Sequence, residues 1–278
     1  MSNADDGIRL DPVDGLPAAP VGLWAKEKHA RLALYLEISR SVRKKFVGPG
    51  KAGATYIDLY CGAGRAYVRD TDDFIDGSPI VAWKASVVGG GQFTEVFLND
   101  QAEGLVSAVK LRFQSLGASA TCNVGDAEAF VRWLVPRLNP HALHFAFIDP
   151  FGLMLPFSLI QTLAALARID LLIHVSAMDL QRNWRSYAAS TESPLDVFNP
   201  GWRSRVRLNQ PDEAARVNFI HDWVAQLKTL GFGGEVHFEL ITGLKNQPLY
   251  WLVIVAKHDL ASKFWKKTLQ AGKSPGLF

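Results

Sequence analysis

The chain has 278 residues, of which 48% are hydrophobic and 21% are charged, and its formal net charge is +3. This is an ordinary globular composition that can bury a sizeable core as one large domain or two small ones. The small net charge does not by itself imply a nucleic-acid partner. Two cysteines, Cys61 and Cys122, exclude a disulfide framework, and they lack histidines at zinc-ligand spacing, so no metal site is predicted.

Residues 1–21 are acidic and rich in proline and glycine, and they lack the charged start and apolar stretch of a secretory signal. We therefore predict a flexible tail over 1–21 on a cytoplasmic protein in a reducing compartment. No apolar run reaches the roughly 18 residues that a membrane span requires, so membrane insertion is not expected.

After this tail a long basic helix is predicted over 24–46, and strands and helices then alternate. The predicted strands cover 55–60, 94–100, 120–126, 144–150 and 170–176. One predicted helix begins at Ser78-Pro79, and three others cover 102–116, 126–138 and 157–167. Residues 180–211 break the alternation and predict a variable segment that contacts substrate or a partner. A helix over 212–230 and a hairpin of strands over 234–242 and 250–257 follow.

Alternation of this kind buries apolar strands under helices on both faces, which indicates a parallel, doubly wound sheet. Five parallel strands closed by an antiparallel pair are the layout of class I methyltransferases. The final hairpin distinguishes this layout from the dinucleotide-binding folds. The sequence therefore predicts an α/β fold with a mainly parallel seven-stranded sheet, in a single methyltransferase-like domain over 22–278.

The first strand of this sheet runs into the stretch YIDLYCGAGR at residues 56–65. Ligands of open α/β sheets lie beyond the carboxyl ends of the strands. Gly62 and Gly64 allow a sharp turn and let a ligand approach the main chain, while Asp58 and Tyr60 are placed to contact it. A Gly-x-Gly pair taken alone is also typical of a structural turn.

Acidic residues end the next two strands as well. Asp100 is placed to accept hydrogen bonds from both hydroxyls of a ribose, and Asp126 either binds an adenine amine or caps the following helix, or does both. These acidic strand ends favour S-adenosylmethionine over a dinucleotide, because a dinucleotide site needs a third glycine where this chain has Tyr67.

Residues 65–77 separate the glycine turn from the helix at Ser78 and predict a loop. Such a loop either folds over the entrance for cofactor or substrate, or is a surface insertion tolerated at low cost.

The fourth strand ends in IDPFG at residues 148–152. Asp149 would emerge beside the methyl donor, Pro150 stiffens the turn, and Phe151 presents an aromatic face. Amino-methyltransferases of nucleobases carry Asp/Asn-Pro-Pro-aromatic here, where the acid binds the target amine and the ring stacks on the flipped base. This chain has one proline in place of two, and a structural turn at Asp149-Pro150 is the alternative.

Arginine and tryptophan are interleaved in the 180–211 segment. Arg182, Trp184 and Arg185 predict a substrate surface, since this mixture suits stacked bases and phosphates, although it suits a partner protein equally. Lys28 belongs to a basic cluster near the start of the chain that is either a nucleic-acid-binding patch or a solvated helix face. His174, on a predicted strand, is interpreted as a core residue.

Several of these stretches together resemble the three-Cys-motif partner family, TcmP, over roughly residues 24–270. They are YIDLYCGAGR, the DGSP at 76–79, FIDPFG at 147–152, the Arg182-centred stretch and the closing YWLVIVAKHDLASKFWKK. The resemblance implies a methyltransferase fold and a functional partner, a three-cysteine-motif protein that looks like an iron–sulfur, radical-type enzyme. By motif match, Asp58, Gly62 and Gly64 would form the cofactor loop, Asp100 the ribose contact, and Asp149 with Phe151 the catalytic pocket.

The leading hypothesis is an S-adenosylmethionine-dependent methyltransferase that acts on a nucleic acid or a nucleobase-like amine, together with the three-cysteine-motif partner. The alternative is a non-catalytic module that keeps the fold and docks that partner through the 180–211 segment. A nucleotide-dependent oxidoreductase is a third hypothesis.

Overall fold

The computed structural model describes residues 7–271 except residues 70, 89, 233–235 and 244. The strands in these ranges are β1 (Arg9–Leu10), β2 (Pro17–Val21), β3 (Ala54–Asp58), β4 (Arg65–Val68), β5 (Phe74–Asp76), β6 (Glu95–Asp100), β7 (Thr121–Val124), β8 (Leu143–Ile148), β9 (Ile169–Val175), β10 (His237–Thr242) and β11 (Pro248–Ala256). The helices are α1 (Trp24–Ile38), α2 (Arg40–Arg43), α3 (Ser78–Val87), α4 (Glu103–Ser115), α5 (Ala127–Leu134), α6 (Phe157–Ala164), α7 (Ala177–Ala189), α8 (Pro194–Phe198), α9 (Asp212–Thr229) and α10 (Asp259–Ala271). Short 3-10 helices lie at Val135–Arg137 and Trp202–Ser204.

The larger sheet has the strand order β10-β11-β9-β8-β3-β6-β7. Strands β7, β6, β3, β8 and β9 pair in parallel, and β11 pairs antiparallel with both β9 and β10. The predicted layout of five parallel strands and a closing antiparallel hairpin is therefore confirmed. Because β3 lies between β6 and β8, the strand order reverses at β3, and ligands of open sheets bind at such a reversal.

Hydrophobic cores lie on both faces of this sheet. Helices α5, α6, α7 and α9 cover one face, where Trp223 is fully buried, and α1, α3, α4 and α10 cover the other, where Trp265 is fully buried. In β8, Ile148 points into the first core and Phe147 into the second, as the alternation of side chains along a strand requires. A strand buried on both faces needs the continuous apolar run seen in its sequence.

Three predicted segments differ from the structure in detail. The helix predicted over 24–46 is divided into α1 and α2, and the variable segment over 180–211 is largely helical, through α7 and α8. The loop predicted over 65–77 contains the antiparallel pair β4 and β5. None of the helices in the described ranges combines the length and the apolar character needed to cross a bilayer.

The described part of the predicted tail, residues 7–21, is folded. Strand β2 pairs in parallel with β4, which gives a second sheet of order β1-β2-β4-β5. Asp11 is fully buried and accepts a hydrogen bond from Arg65 Nε at 2.7 Å. Arg112 of α4 donates to both carboxylate oxygens of Asp14, at 2.7 and 2.9 Å. The acidic residues that suggested a solvated tail therefore bind arginines that are distant in sequence.

Replacing Arg112 with methionine is expected to release this N-terminal segment. Arg112 is 4% exposed, and its guanidinium also donates to the carbonyls of Pro17 and Ala63, both at 2.7 Å, so its removal leaves several acceptors unpaired. We expect the free energy of unfolding to fall by about 3 kcal/mol in urea titrations, with faster proteolysis within residues 7–21.

Arg132→Met is the matched control, because the Arg132 side chain is 63% exposed and its pair with Glu128 should contribute under about 0.5 kcal/mol. Equal losses in the two variants would contradict the anchoring role of Arg112.

Candidate active site

A cleft of ≈ 880 Å³ opens at the carboxyl ends of β3, β6 and β8. Its volume is in the range of sites that hold small molecules and cofactors. Among the residues predicted as site residues, those that line the cleft are Tyr60, Gly62, Asp100, Asp126, Asp149, Pro150 and Phe151. Ala19 from β2 and Val197 from α8 also line it, so the small sheet and the 180–211 segment each contribute to its walls.

The charge of this cleft is negative. Five carboxylates line it, from Asp100, Asp126, Glu128, Asp149 and Glu192, and no lysine, arginine or histidine does so among the residues that the structure describes. A crevice lined by one sign of charge attracts ligands of the opposite sign. The cleft therefore suits a ligand with cationic groups and disfavours a pyrophosphate.

The two glycines of the turn after β3 have different surroundings. Gly62 has φ +54°, and a Cβ placed on it would have no atom within 4 Å, so the main chain is open to a ligand there. Gly64 has φ +77°, and a Cβ there would lie 2.8 Å from Val109 Cγ2. Only Gly62 lines the cleft, whereas Gly64 lets the turn pack closely on α4.

Asp58 lies beneath the turn instead of in the cleft. Its side chain is fully buried, where it accepts hydrogen bonds from the Tyr56 hydroxyl at 2.8 Å and the Tyr60 amide at 3.3 Å. Burial raises the pKa of Asp58 to about 7, although the hydrogen bonds from Ser78 and Tyr56 oppose this rise. The expectation that Asp58 contacts a ligand is corrected: Asp58 does not line the cleft and instead supports the glycine turn from beneath.

Asp100 and Asp126 lie at the cleft surface and also bind the backbone. Asp100 accepts from the Gly62 amide at 2.9 Å and from the Ala102 amide at 3.0 Å, so it connects the ends of β3 and β6. Asp126 caps α5 by accepting from the Ala129 amide at 2.8 Å. A carboxylate has about four lone-pair sites, so both residues keep acceptor capacity toward the cleft.

Asp149 follows β8 and contacts two cationic or titratable side chains. Lys28 of α1 donates to Oδ2, and His174 Nδ1 of β9 lies 3.3 Å from Oδ1 without the geometry of a hydrogen bond. Burial alone would raise the pKa of Asp149, but the Lys28 ammonium, followed by His174, outweighs it and holds the pKa below its ordinary value. The carboxylate is therefore ionised at neutral pH.

Sequence reasoning missed Lys28 and His174 as site residues. Lys28 lies on the same helical stripe as the buried Ala25, Leu32 and Tyr35, so the spacing of three and four residues placed it on the inner face of α1. That spacing was the available signal. For His174 the sequence gives no such signal, because only the pairing of β9 with β8 brings His174 close to Asp149.

The turn after β8 displays an apolar rim. Phe151 is 92% exposed and Met154 is 63% exposed, at the edge of the cleft. Asp179 of α7 fixes the turn by accepting from the Leu153 amide at 2.9 Å. An exposed aromatic ring on a fixed turn beside a cleft is typical of a contact surface for a ligand.

The predicted substrate residues on α7 do not line the cleft. Trp184 is 2% exposed and packs against Trp202, with ring centroids 5.7 Å apart, so it is a core residue and not a stacking surface. Arg182 and Arg185 are exposed on α7, where Arg185 pairs with Asp212 at 2.6 Å. The expectation for Trp184 is wrong because the helical spacing of this segment directs its tryptophans inward.

No protein-family model matches the sequence, and no curated protein matches it at a significant level. Among solved structures, the protein LPL1258 from Legionella pneumophila strain Philadelphia 1, described with the family model DUF519, is similar over 88% of this chain and 91% of its own, with TM-score 0.54 and 10% identity. An O-methyltransferase from Bacillus cereus in complex with SAH is similar over 88% and 86%, with TM-score 0.49 and 14% identity. A putative methyltransferase from Escherichia coli is similar over 87% and 93%, with TM-score 0.43 and 12% identity.

By its fold the chain is an α/β protein with a mostly parallel seven-stranded sheet that is flanked by helices on both faces. At such identities the similarity concerns the fold, and function has to be argued from the site. Membership of the three-Cys-motif partner family stays a prediction of the sequence.

Replacing Asp58 with asparagine is expected to change how stability depends on pH. The pKa of Asp58 is about 7 in the folded protein against an ordinary 3.8, so the folded state binds this proton more tightly than the unfolded chain. Its contribution favours folding at low pH and is lost as the pH rises from about 4 to about 7. Relative to the native protein, Asp58→Asn should gain roughly 2–4 kcal/mol across that window in urea titrations.

Asp126→Asn is the control, since its side chain is exposed and asparagine also caps helices well. A difference between Asp58→Asn and the native protein that stays constant with pH would show that Asp58 does not titrate in this window.

Proposed function

We propose that this protein is an S-adenosylmethionine-dependent methyltransferase whose acceptor is a nucleobase-like amine, in a nucleic acid or a smaller molecule. The observation that carries the proposal is the acidic cleft at the strand reversal, which brings Gly62 and Asp100 together with Asp149 and Phe151. The first two residues suit a nucleoside, and the last two suit an acceptor amine on a ring.

The charge of the cleft and its open main chain at Gly62 support the proposed cofactor. When bound, S-adenosylmethionine supplies a methyl group activated by a sulfonium, and this cation is compatible with the five carboxylates of the lining. The Asp100 carboxylate would accept from the ribose hydroxyls, and Asp126 would accept from the adenine amine. The open space beside Gly62 lets a ligand reach the main chain.

The acceptor half of the site is formed by the turn after β8. The ionised Asp149 carboxylate accepts a hydrogen bond from an N–H of the acceptor and thereby orients its nitrogen. Phe151, held out by the fixed turn, offers a face on which a flat ring stacks. Association with a three-cysteine-motif protein stays a prediction of the sequence, as does the non-catalytic alternative.

Two experiments test the function directly. Calorimetry should detect saturable binding of S-adenosylmethionine and of its demethylated product, and NAD should not bind. Incubation with methyl-labelled donor and separate pools of DNA, RNA, protein and small metabolites should then transfer label to the pool that contains nucleobases. Absence of cofactor binding, or tighter binding of NAD, would refute the proposal.

Asp100→Asn should weaken cofactor binding by roughly 10- to 100-fold, because a charge-assisted hydrogen bond to a hydroxyl contributes about 1.5–3 kcal/mol. Asparagine keeps the size of the side chain, and a melting curve shows whether the turn is intact. Asp212→Asn, whose side chain pairs with Arg185 on the surface, is the control and should bind normally. Unchanged affinity in a folded Asp100→Asn protein would remove Asp100 from the site.

Phe151→Ala should leave stability within about 0.5 kcal/mol of the native protein, because the ring is 92% exposed. Loss of stacking should lower transfer to the labelled pool by about 10-fold or more, without weakening cofactor binding. Leu111→Ala removes another half-exposed apolar side chain, on α4 and outside the cleft lining, and should transfer normally. Equal rates in the two variants would contradict a stacking role.

A further inference from the structure

On the side away from the cleft, Asp149 faces two largely buried side chains, Lys28 and His174, that the proposed function does not use. Lys28 is 8% exposed as a residue, and neither it nor His174 is among the residues that line the cleft. Both therefore reach Asp149 from beneath the cleft surface, while the carboxylate itself, 20% exposed, faces the cleft. Lys28 comes from α1, which precedes the first strand of the large sheet.

Several titratable side chains interact electrostatically with Asp149. They are Lys28 and His29 from α1, Tyr56 and Asp58 from β3, Tyr60 from the glycine turn, His174 from β9 and Tyr250 from β11. Burial lowers the pKa of His29 and of His174 to about 4, so both are neutral at pH 7. Within this group Lys28 is therefore the residue that compensates the charge of Asp149.

We propose that Lys28 is a positioning residue that keeps Asp149 ionised but charge-compensated, and that it thereby restricts the acceptor to amines that are uncharged in solution. The second half of this inference rests on the proposed function. The aromatic amines of nucleobases belong to the permitted class, and the side chain of a lysine belongs to the excluded one.

The restriction follows from charge and from the need for a free lone pair. The Lys28 ammonium offsets the attraction that the Asp149 carboxylate would otherwise exert on a protonated alkylamine, so charge gives this cation little advantage at Asp149. A protonated alkylamine also lacks the free lone pair that an acceptor nitrogen needs. A neutral aromatic amine carries no charge, and the lone pairs of Asp149 that Lys28 leaves free can still accept one of its N–H groups.

The role of Lys28 is tested by titrating Asp149 itself. The carboxyl carbon of Asp149 is followed by NMR in protein labelled at aspartate, and it is assigned by its loss in Asp149→Asn. In Lys28→Met the pKa of Asp149 should rise by about one unit or more, because burial is no longer opposed by the ammonium. Lys28→Arg should restore a titration close to that of the native protein.

Lys26→Met is the matched control on the same helix, since Lys26 pairs with the half-exposed Asp73 and should leave the titration of Asp149 unchanged. A merely structural role of Lys28 would lower the melting temperature without moving this titration. An unmoved pKa of Asp149 in folded Lys28→Met protein would overturn the positioning role.

The acceptor class is tested separately, with methyl-labelled donor and two probes, poly-L-lysine and a mixed RNA and DNA pool. We expect the native protein to label the nucleic-acid pool at least 100-fold more than poly-L-lysine. Comparable labelling of poly-L-lysine would overturn the restriction to neutral amines. Transfer to neither probe would count against the acceptor class and the proposed function together, whereas the NMR titration decides the role of Lys28 by itself.

Discussion

The reversal of strand order at β3 is the constraint on which the candidate site depends. With β6 on one side and β8 on the other, the helices that follow these strands leave in opposite directions, and a crevice opens between them. Asp100 reaches the crevice from the end of β6 and Asp149 from the end of β8. The hydrogen bond from the Gly62 amide to Asp100, 2.9 Å long, fixes the turn after β3, so this half of the cleft is positioned by the sheet itself.

The electrostatics of the site are uneven beneath this crevice. Asp149 is compensated by Lys28, whereas Asp58, deeper in the same region, has only hydrogen bonds to offset its burial. The negative charge of Asp149 further disfavours ionisation of Asp58. Asp149 is thus held in its charged form, whereas Asp58 gains and loses its proton near neutral pH, and only Asp149 reaches the cleft. Divergent environments of this kind are common at functional sites.

The sequence predicted the order and type of the elements of the large sheet because its strands are buried on both faces and therefore form unbroken apolar runs. It also predicted that the residues following these strands lie at one edge of the sheet, because parallel strands bring their carboxyl ends to the same edge. It did not predict that Asp11 and Asp14 bind Arg65 and Arg112, since such pairs depend on contacts between distant segments. Trp184 was misassigned for a related reason: an arginine-rich composition describes the exposed face of α7 and not its buried one.

The small sheet determines whether the residues before Trp24 can be removed without damage to the cleft. Strand β2 is the parallel neighbour of β4, and Ala19 within it forms part of the cleft wall. A version trimmed to start at Trp24 would retain every strand of the large sheet. It would nevertheless expose an unpaired edge on β4 and open one flank of the crevice to solvent, so the leading segment is an integral wall of the site and not a dispensable extension.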